Sequence, residues 1–311
     1  MEQLLLLLLS LFVVTQAAGI ATRFSEKLAE GMHFSRYLVG FVVVSFISIL
    51  PETFIAVDAA LRGNPSFGIG TLLGSNVADL TLIFAILIFV AGKHGFHIEK
   101  HILRKLAIYP LFLAVPLLLG LDGQFSREEG VTLLIVGIIF YFLVFNRSVG
   151  ISSRAADIRN HWRNFMMLLF GMALLLVGAH FTVSSALDLA HQFKVPAIVV
   201  GVLLVSLGTT IPELFFSAKA VKNKRIDLAV GDILGSVLAD ATIVIGIVTL
   251  ITPVEFPRTI AYVAGGFMVA ASIVLLILMK TRYRLQRSEA VLLVGVWLLY
   301  AVTEILLAHL R

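Results

Sequence analysis

The chain has no cysteine among its 311 residues, and only 14% of its residues are charged. Without cysteine, neither a disulfide scaffold nor a thiolate metal site can form. A charge content this low excludes a disordered chain, and 59% apolar residues exceed the roughly one half found in soluble domains. The composition is therefore typical of a membrane protein. A net charge of +5 then favours basic cytoplasmic loops rather than nucleic-acid binding.

Apolar runs long enough to cross a bilayer follow one another along the whole chain. We predict an all-α polytopic membrane protein with ten transmembrane helices, at residues 3–22, 37–61, 66–92, 103–120, 130–146, 164–187, 195–218, 227–252, 258–280 and 288–309. The first run has the length of a signal peptide. It is preceded by Glu2 and by no Lys or Arg, so we interpret it as a span.

The positive residues alternate from loop to loop, since 19 of the 24 Lys and Arg residues lie in every second loop. Positive loops stay in the cytoplasm, so we expect a multi-pass protein of the cell membrane with both termini outside. The longest polar stretch, residues 147–163, is then a cytoplasmic linker. It separates a first five-helix repeat, residues 1–146, from a second, residues 164–311.

Residues 40–86 align without a gap on residues 201–247, an offset of 161 at which 15 of 47 positions are identical. The polar matches are Ser45/Ser206, Pro51/Pro212, Glu52/Glu213, Gly70/Gly231, Gly74/Gly235, Ser75/Ser236, Asp79/Asp240 and Thr81/Thr242. Because the first copy starts in the second span and the other in the seventh, the copies run in opposite directions. Inverted repeats are typical of secondary transporters, whose ion sites lie near the bilayer midplane.

The first part of each copy is a Pro-Glu pair inside an apolar helix. Proline removes a backbone donor and clashes with the carbonyl four residues earlier, which frees carbonyl oxygens next to the acid. Ser48 lies four residues before Glu52, and Thr209 four before Glu213, so each hydroxyl shares a helix face with its carboxylate.

The second part of each copy is Gly-Ser-x-x-Ala-Asp, in which Ser75 and Asp79, or Ser236 and Asp240, again share one face. The glycines form a GxxxG spacing that lets another helix approach closely. We expect the proline-kinked helix of the same copy to be that neighbour. It would then bring Glu52 beside Asp79 and Glu213 beside Asp240.

The chemistry of this set is that of a hard-cation site, since carboxylates, hydroxyls and carbonyls are the ligands of Ca²⁺. An ionised carboxylate at mid-membrane costs ~2.5–3.5 kcal/mol, so several together require cations or protons to neutralise them. A site without bound ions is then unfavourable in the occluded state between the two open states. This favours exchange of one ion for another. An intramembrane enzyme would need two acids in different environments, and the near symmetry of the repeats argues against it.

With these motifs the chain resembles the cation/Ca²⁺ exchanger superfamily, and most closely the prokaryotic sodium/calcium exchangers. Gly208-Thr209-Thr210-Ile211-Pro212-Glu213 is similar to the family's G-[TS]-[TS]-x-P-E, and residues 74–79 and 235–240 are similar to its G-S-x-x-x-[ND]. The resemblance implies a secondary antiporter that exchanges Ca²⁺ for Na⁺ by alternating access. It implies transported ions rather than a cofactor, and we expect a monomeric transport unit in the lipid bilayer.

The resemblance also implies ligands. Glu52 and Glu213 would form a central calcium site with carbonyls near Ser48 and Thr209, and Asp79 and Asp240 would lie between two flanking sodium sites. One sodium site would use Ser206, Thr209, Thr210, Glu213 and Ser75, and the other Ser45, Ser48, Glu52 and Ser236. Spans 1 and 6 would slide against the other spans to switch access.

Two departures from the family pattern leave the counter-ion open. Ile47-Ser48-Ile49 replaces G-[TS]-[TS] in the first copy, which removes a hydroxyl and a glycine. Asp79 replaces an Asn that sodium/calcium exchangers of this type often carry. These changes are compatible with H⁺ as the counter-ion, with a different number of Na⁺ ions, or with involvement of K⁺.

Overall fold

The computed structural model describes residues 2–31, 34–61, 63, 65–146, 158–192 and 206–310, which are almost entirely helical. The helices are α1 Glu2–Gly31, α2 Arg36–Ser48, α3 Leu50–Leu61, α4 65–90, α5 Lys100–Leu106, α6 Tyr109–Leu119, α7 Arg127–Asn146, α8 Ile158–Gln192, α9 Ser206–Thr209, α10 Ile211–Lys222, α11 Ile226–Ile251, α12 258–282 and α13 Arg287–Leu310. The strands are β1 Phe96–His97, β2 Gln124–Phe125, β3 Val254–Glu255 and β4 Arg284–Leu285.

The described residues contain eight helices long and apolar enough to cross a membrane, where α5 and α6 count as one span at residues 102–122. The number is nine if the bent pair α2 and α3 is one span. The predicted seventh span, residues 195–218, is described only from Ser206 onward, so this count does not reach the predicted ten. Large apolar side chains cover the outer surface, as at Phe54 (71% exposed) and Leu111 (67% exposed). Such a surface suits lipid rather than water, and the chain is a multi-pass membrane protein.

Several helix limits differ from the predicted ones. The first helix continues to Gly31 rather than residue 22, and α8 begins at Ile158 rather than residue 164. Hydropathy marks the part of a helix that faces lipid, whereas backbone hydrogen bonds continue into water, so the predicted ends were too short. The predicted span 103–120 is interrupted between α5 and α6, just before Pro110, because proline cannot donate to the preceding turn.

The two long helices α1 and α8 pack against each other in antiparallel directions. The Thr182 hydroxyl donates to the Ser10 hydroxyl at 2.9 Å, Gly178 lies against Val14, and Gly171 lies against Ala21. As the residue number rises on one helix it falls on the other. A Cβ on Gly171 would lie 2.9 Å from the Ala21 nitrogen, so small residues allow the close approach of this pair.

Helices α2 and α11 pack in parallel through glycine contacts. Gly40 meets Leu228 and Asp232, and further along Gly235 meets Phe41 and Ser45. A Cβ on Gly235 would lie 2.6 Å from the Ser45 hydroxyl, so the two helices would have to shift to admit a side chain there. The prediction that these glycines allow a close helix contact is therefore confirmed for the second copy. The predicted partner helix was wrong, because the glycines face the proline-kinked helix of the other copy.

In the first copy the glycine prediction does not hold at Gly70. A Cβ there would lie 3.8 Å from the Ile260 side chain, which is an ordinary contact distance. The close contact is made instead at Gly68, where a Cβ would lie 2.9 Å from the Ala56 Cα on α3. Helices α3 and α4 therefore pack through a different glycine from the one that the motif suggested.

Two short antiparallel sheets tie loops of the first half to loops of the second half. Strand β1 pairs with β4, placing Phe96 opposite Leu285, and β2 pairs with β3, placing Phe125 opposite Val254. The sheets link the loops at residues 91–99 and 283–286, and at 120–126 and 252–257. They thereby fix the positions of the helix ends that frame the buried centre of the molecule.

Candidate ion-binding site

A break in the helix precedes the first acid of each copy. Helix α2 ends at Ser48 and α3 begins at Leu50, with a bend of 43°. Helix α9 likewise ends at Thr209 and α10 begins at Ile211. The linking residues have nearly the same backbone angles, φ −75° and ψ 0° at Ile49 and φ −83° and ψ 3° at Thr210. The prolines two residues later therefore suffice for the break, and the glycine missing from the first copy does not alter it.

The four predicted acids all lie in the buried centre. Glu52 and Glu213 follow the breaks by one turn and are 2% and 1% exposed. Asp79 and Asp240 are each 2% exposed and lie at the start of π-helical segments, Asp79–Ile83 and Ala239–Val244. A π-helical turn widens the helix and is frequent at functional sites, so both copies present their acids from irregular backbone.

One carboxylate oxygen of each acid is buried and makes no hydrogen bond to any described residue. These atoms are Glu52 Oε2, Asp79 Oδ1, Glu213 Oε2 and Asp240 Oδ1. A buried acceptor without a donor loses its hydration with nothing in return, at a cost of about 1–3 kcal/mol each and more when charged. The same kind of atom is left over in all four acids, which is the arrangement expected where a cation supplies the missing interaction.

No basic side chain among the described residues neutralises these acids. Two ion pairs of the described residues join Glu26 to Arg36, at 3.7 Å, and to Arg225, and both lie near helix ends. The acids instead have other acids as neighbours. Glu52 is within electrostatic range of Asp79, Glu213 and Asp240, so any charge on them is mutually repulsive.

The acids meet across the copies rather than only within them. Asp79 is within electrostatic range of Glu52, as the expected approach of these two acids requires. Glu213 is within electrostatic range of Glu52, Asp79 and Asp232, and Asp240 is within range of Glu52 and Asp79. The expected approach of Glu213 to Asp240 stays a prediction. The parallel packing of α2 on α11 brings acids of different copies together, because it places the second copy's Gly-Ser motif beside the first copy's broken helix.

Hydroxyl groups surround the break of the first copy. The Ser48 hydroxyl lies 3.0 Å from the Ser236 hydroxyl, 3.1 Å from the Ser45 carbonyl and 3.2 Å from Asp232 Oδ1. The Ser236 hydroxyl in turn donates to the Asp232 carbonyl at 3.1 Å. Two predicted ligands that are far apart in sequence are therefore brought together here.

The other predicted hydroxyls lie nearby with local partners. Ser45 donates to the Phe41 carbonyl at 2.6 Å, and Ser75 donates to the Leu72 carbonyl at 3.0 Å. Thr209 forms a side-chain hydrogen bond with Glu52, which joins the two breaks. Thr210 is buried beside them at 1% exposure. Ser206 starts α9, and its side chain is outside the described part of the site.

Sequence reasoning missed Asp232 and Ser217. Asp232 is fully buried and accepts hydrogen bonds from Ser48 and from Ser217, the latter at 3.0 Å. The signal was present, because an acid inside an apolar span is itself a mark of function. Asp232 was overlooked because it has no acidic match in the first copy, where Thr71 occupies the aligned position.

Two tyrosines support the helix that carries Ser236, and these were missed as well. Tyr109 donates to the Leu234 carbonyl at 2.7 Å, and Tyr141 donates to the Gly235 carbonyl at 2.8 Å. These carbonyls immediately precede Ser236, and the π-helical turn that begins at Ala239 disturbs the regular hydrogen bonds of this region. The tyrosines hold the irregular backbone in place from α6 and α7.

Within the described residues, no group of three or more acids or histidines has the geometry of a metal site. The arrangement accordingly differs from a resident metal centre held by side chains alone. A cation here would need main-chain carbonyls and hydroxyls to complete its shell, which Ca²⁺ and Na⁺ accept readily.

Comparison with known proteins identifies the family. The family described as "Sodium/calcium exchanger protein" matches residues 2–146 and 163–306. The chain is 28% identical to the inner membrane protein YrbG of Escherichia coli, with 97% of this chain and 98% of that protein covered. It is 21% identical to the sodium/calcium exchanger MaX1 of Methanosarcina acetivorans, with 96% and 97% covered.

Solved structures of the sodium-calcium exchanger NCX_Mj share the fold. One soaked with Na⁺ and without Ca²⁺ superposes with a TM-score of 0.84 at 23% identity, and the match covers 99% of both chains. Another, soaked with Na⁺ and Sr²⁺, gives a TM-score of 0.83 at 23% identity, with 96% of both chains covered. The resemblance of the motifs is thereby confirmed, and the chain belongs to the sodium/calcium exchanger protein family.

Proposed function

We propose that this protein is a secondary-active antiporter that exchanges Ca²⁺ for Na⁺ by alternating access. The observation that carries the proposal is the set of four buried acids, each with one carboxylate oxygen that no described residue satisfies. Cations are the partners that such oxygens lack. The names of two similar proteins, sodium/calcium exchanger MaX1 and sodium-calcium exchanger NCX_Mj, support the choice of ions.

The central calcium site uses Glu52 and Glu213 with main-chain carbonyls near Ser48 and Thr209. Two carboxylates balance one divalent charge, and the broken helices supply carbonyl oxygens that regular helices would engage in hydrogen bonds. Among the described residues, no three acids or histidines come close enough to hold one metal ion. This agrees with a calcium coordination shell that main-chain carbonyls complete. Asp79 and Asp240 contribute charge between the flanking sites.

The flanking sodium sites use hydroxyls from both copies. One consists of Ser206, Thr209, Thr210, Glu213 and Ser75, and the other of Ser45, Ser48, Glu52 and Ser236. The 3.0 Å approach of Ser48 to Ser236 supports the second set, because two hydroxyl oxygens this close can bind one ion together.

The architecture is ten transmembrane helices in two inverted five-helix repeats, with both termini outside and the linker 147–163 in the cytoplasm. Antiparallel α1 and α8 support this, because the first helices of inverted repeats run in opposite directions. The parallel packing of α2 on α11 is consistent with it as well. Strand pairs β1–β4 and β2–β3 each join loops that the charge pattern assigns to one side.

Alternating access arises when α1 and α8 move together against the remaining helices. These two helices are joined by the Ser10–Thr182 hydrogen bond and by glycine contacts, so they behave as one unit. The predicted ligands lie on the other helices, and none lies on α1 or α8. The site therefore stays assembled while the pair uncovers one side or the other.

A proton-coupled Ca²⁺ antiporter is the second candidate, and involvement of K⁺ is a variant of it. The first break has Ile49, 3% exposed and packed in the apolar core, where the second copy has the hydroxyl of Thr210. One predicted sodium site therefore has fewer ligands than the other, and Asp79 adds an ionisable group to the centre.

The test is Ca²⁺ flux in proteoliposomes under one imposed gradient at a time. We expect an outward Na⁺ gradient to drive Ca²⁺ uptake, whereas a pH or K⁺ gradient in Na⁺-free buffer should not. Uptake driven by the pH or K⁺ gradient alone would favour the second candidate. The absence of Ca²⁺ flux under every gradient would reject both.

A further inference from the structure

Asp232 is a fifth buried acid whose oxygens, unlike those of the other four, both have partners. It is 0% exposed and lies on α11, one turn before Ser236. Ser48 on α2 donates to its Oδ1 at 3.2 Å, and Ser217 on α10 donates to its Oδ2 at 3.0 Å. The residue thus joins three helices at the point where the two copies meet.

This arrangement exists in only one of the two copies. Thr71 aligns with Asp232, and Ala56 aligns with Ser217, so neither the acid nor its second donor has a counterpart. The inverted symmetry that relates Glu52 to Glu213 and Asp79 to Asp240 is broken here. A feature that the symmetry of the fold does not require needs a separate physical explanation.

The explanation lies in the directions in which the Ser48 and Ser236 hydroxyl hydrogens can point. A hydroxyl that binds a cation must point its lone pairs at the ion and its hydrogen away. Ser48 can turn its hydrogen to Asp232 Oδ1, and Ser236 can turn its hydrogen to the Asp232 carbonyl at 3.1 Å. The lone pairs of the Ser48 and Ser236 oxygens are then free to bind one cation, and Asp232 has accepted the hydrogens of both hydroxyls.

We propose that Asp232 is a positioning residue, which accepts the Ser48 hydrogen and so presents the Ser48 and Ser236 oxygens to a monovalent cation. The inference rests on the proposed function and deepens it, because it makes the two flanking sodium sites unequal. A carboxylate acceptor forms a stronger hydrogen bond than the Ser45 carbonyl, which is the alternative for Ser48 at 3.1 Å. The Ser48 hydroxyl is therefore more strongly oriented than the Ser75 hydroxyl, which donates to the Leu72 carbonyl.

A double-mutant cycle between Asp232 and Ser48 tests this role. Purified protein is equilibrated with a fixed concentration of Ca²⁺. The Na⁺ concentration is then raised, and the concentration that displaces half of the bound Ca²⁺ is measured. We expect Asp232→Thr, which restores the residue of the first copy, to raise that Na⁺ concentration about tenfold, and Ser48→Ala to do the same. The double variant should also show about a tenfold rise, because Asp232 acts through Ser48.

Independent effects would multiply to about a hundredfold in the double variant, and that result would overturn the inference. Asp232→Asn keeps an acceptor oxygen without the charge, so it should give a smaller shift, about threefold. It also replaces Asp232→Thr in the cycle if that variant does not fold. Ser272→Ala is the control, since Ser272 is buried on α12 and donates only to the Val269 carbonyl among described groups.

The wild-type protein separates the two hypotheses. If Na⁺ does not displace Ca²⁺ from it, the proposed Na⁺ exchange and the role of Asp232 both fail. If Na⁺ displaces Ca²⁺ but Asp232→Thr and Asp232→Asn match the wild type, only the role of Asp232 fails.

Discussion

The Ser48 hydroxyl lies 3.0 Å from the Ser236 hydroxyl, although 188 positions separate the two residues. The contact joins the broken helix of one copy to the Gly-Ser motif of the other. It depends on Gly235, since a side chain there would push α2 away from α11. The centre of the molecule is therefore a junction between the copies and not two separate half-sites.

Glu213→Gln should abolish Ca²⁺ binding and exchange while the protein remains folded. Glutamine has the shape of the acid but removes one of the two charges that oppose the divalent ion. We expect a loss of at least about a hundredfold in Ca²⁺ affinity, measured by titration calorimetry of purified protein. Glu128→Gln, at an exposed acid on the first turn of α7, is the control. Normal affinity in Glu213→Gln would show that the ligand assignment is wrong.

Ile49→Ser should increase the dependence of transport on Na⁺. Ile49 and Thr210 have nearly equal backbone angles, so a hydroxyl at residue 49 would take the position that the second copy already uses. The same change removes buried apolar volume, and we expect a loss of stability of about 2–5 kcal/mol. Half-saturating Na⁺ in Ca²⁺ flux measures the first effect and thermal unfolding the second. Ile47→Ser serves as the comparison, and equal Na⁺ curves for both variants would contradict the prediction.

Gly235→Ala should destabilise the protein, and Gly70→Ala should not. The added Cβ would lie 2.6 Å from the Ser45 hydroxyl in the first variant but 3.8 Å from the nearest side chain in the second. We expect a loss of about 1–3 kcal/mol for Gly235→Ala, because the packed helices must separate. Gly70→Ala should be neutral or stabilising by up to about 1 kcal/mol, since alanine favours the helix. Denaturation in detergent compares the pair, and equal losses would argue against close packing of α2 on α11.

Cysteine labelling can test the orientation, because the chain has no cysteine of its own. Glu128 and Ser288 are exposed at matching positions near the starts of α7 and α13. The charge pattern predicts that Glu128→Cys reacts with an impermeant maleimide from outside intact cells, and that Ser288→Cys reacts only after lysis. Labelling of both variants in intact cells would contradict the inverted arrangement.

Local sequence patterns predicted a large part of this structure. Apolar runs predicted the eight or nine candidate spans of the described residues, because burial in lipid requires a long apolar stretch. Pro51 and Pro212 identified the breaks, since a missing backbone donor acts within one turn. The repeat identified the four acids that the structure places in the buried centre. Residues 147–157 and most of the seventh span lie outside the described residues, and their predictions remain predictions.

Packing between the copies was not predictable in the same way. The motif suggested that Gly231 and Gly235 would face their own copy's kinked helix, yet they face α2 of the other copy. The helix limits of α1 and α8 and the roles of Tyr109 and Tyr141 also emerged only with the structure. A GxxxG spacing states that a helix can be approached closely, but it carries no information about which helix approaches.

The sequence by itself determined that the chain crosses a membrane, where its helices break, and that four acids must be neutralised there. Each of these follows from residue type and short-range spacing. Only the tertiary structure decided which acids are neighbours, that Ser48 meets Ser236, and that Asp232 accepts a hydrogen bond from each of these serines. Those relations depend on how distant helices pack, and packing is decided by the shapes of whole surfaces rather than by neighbours along the chain.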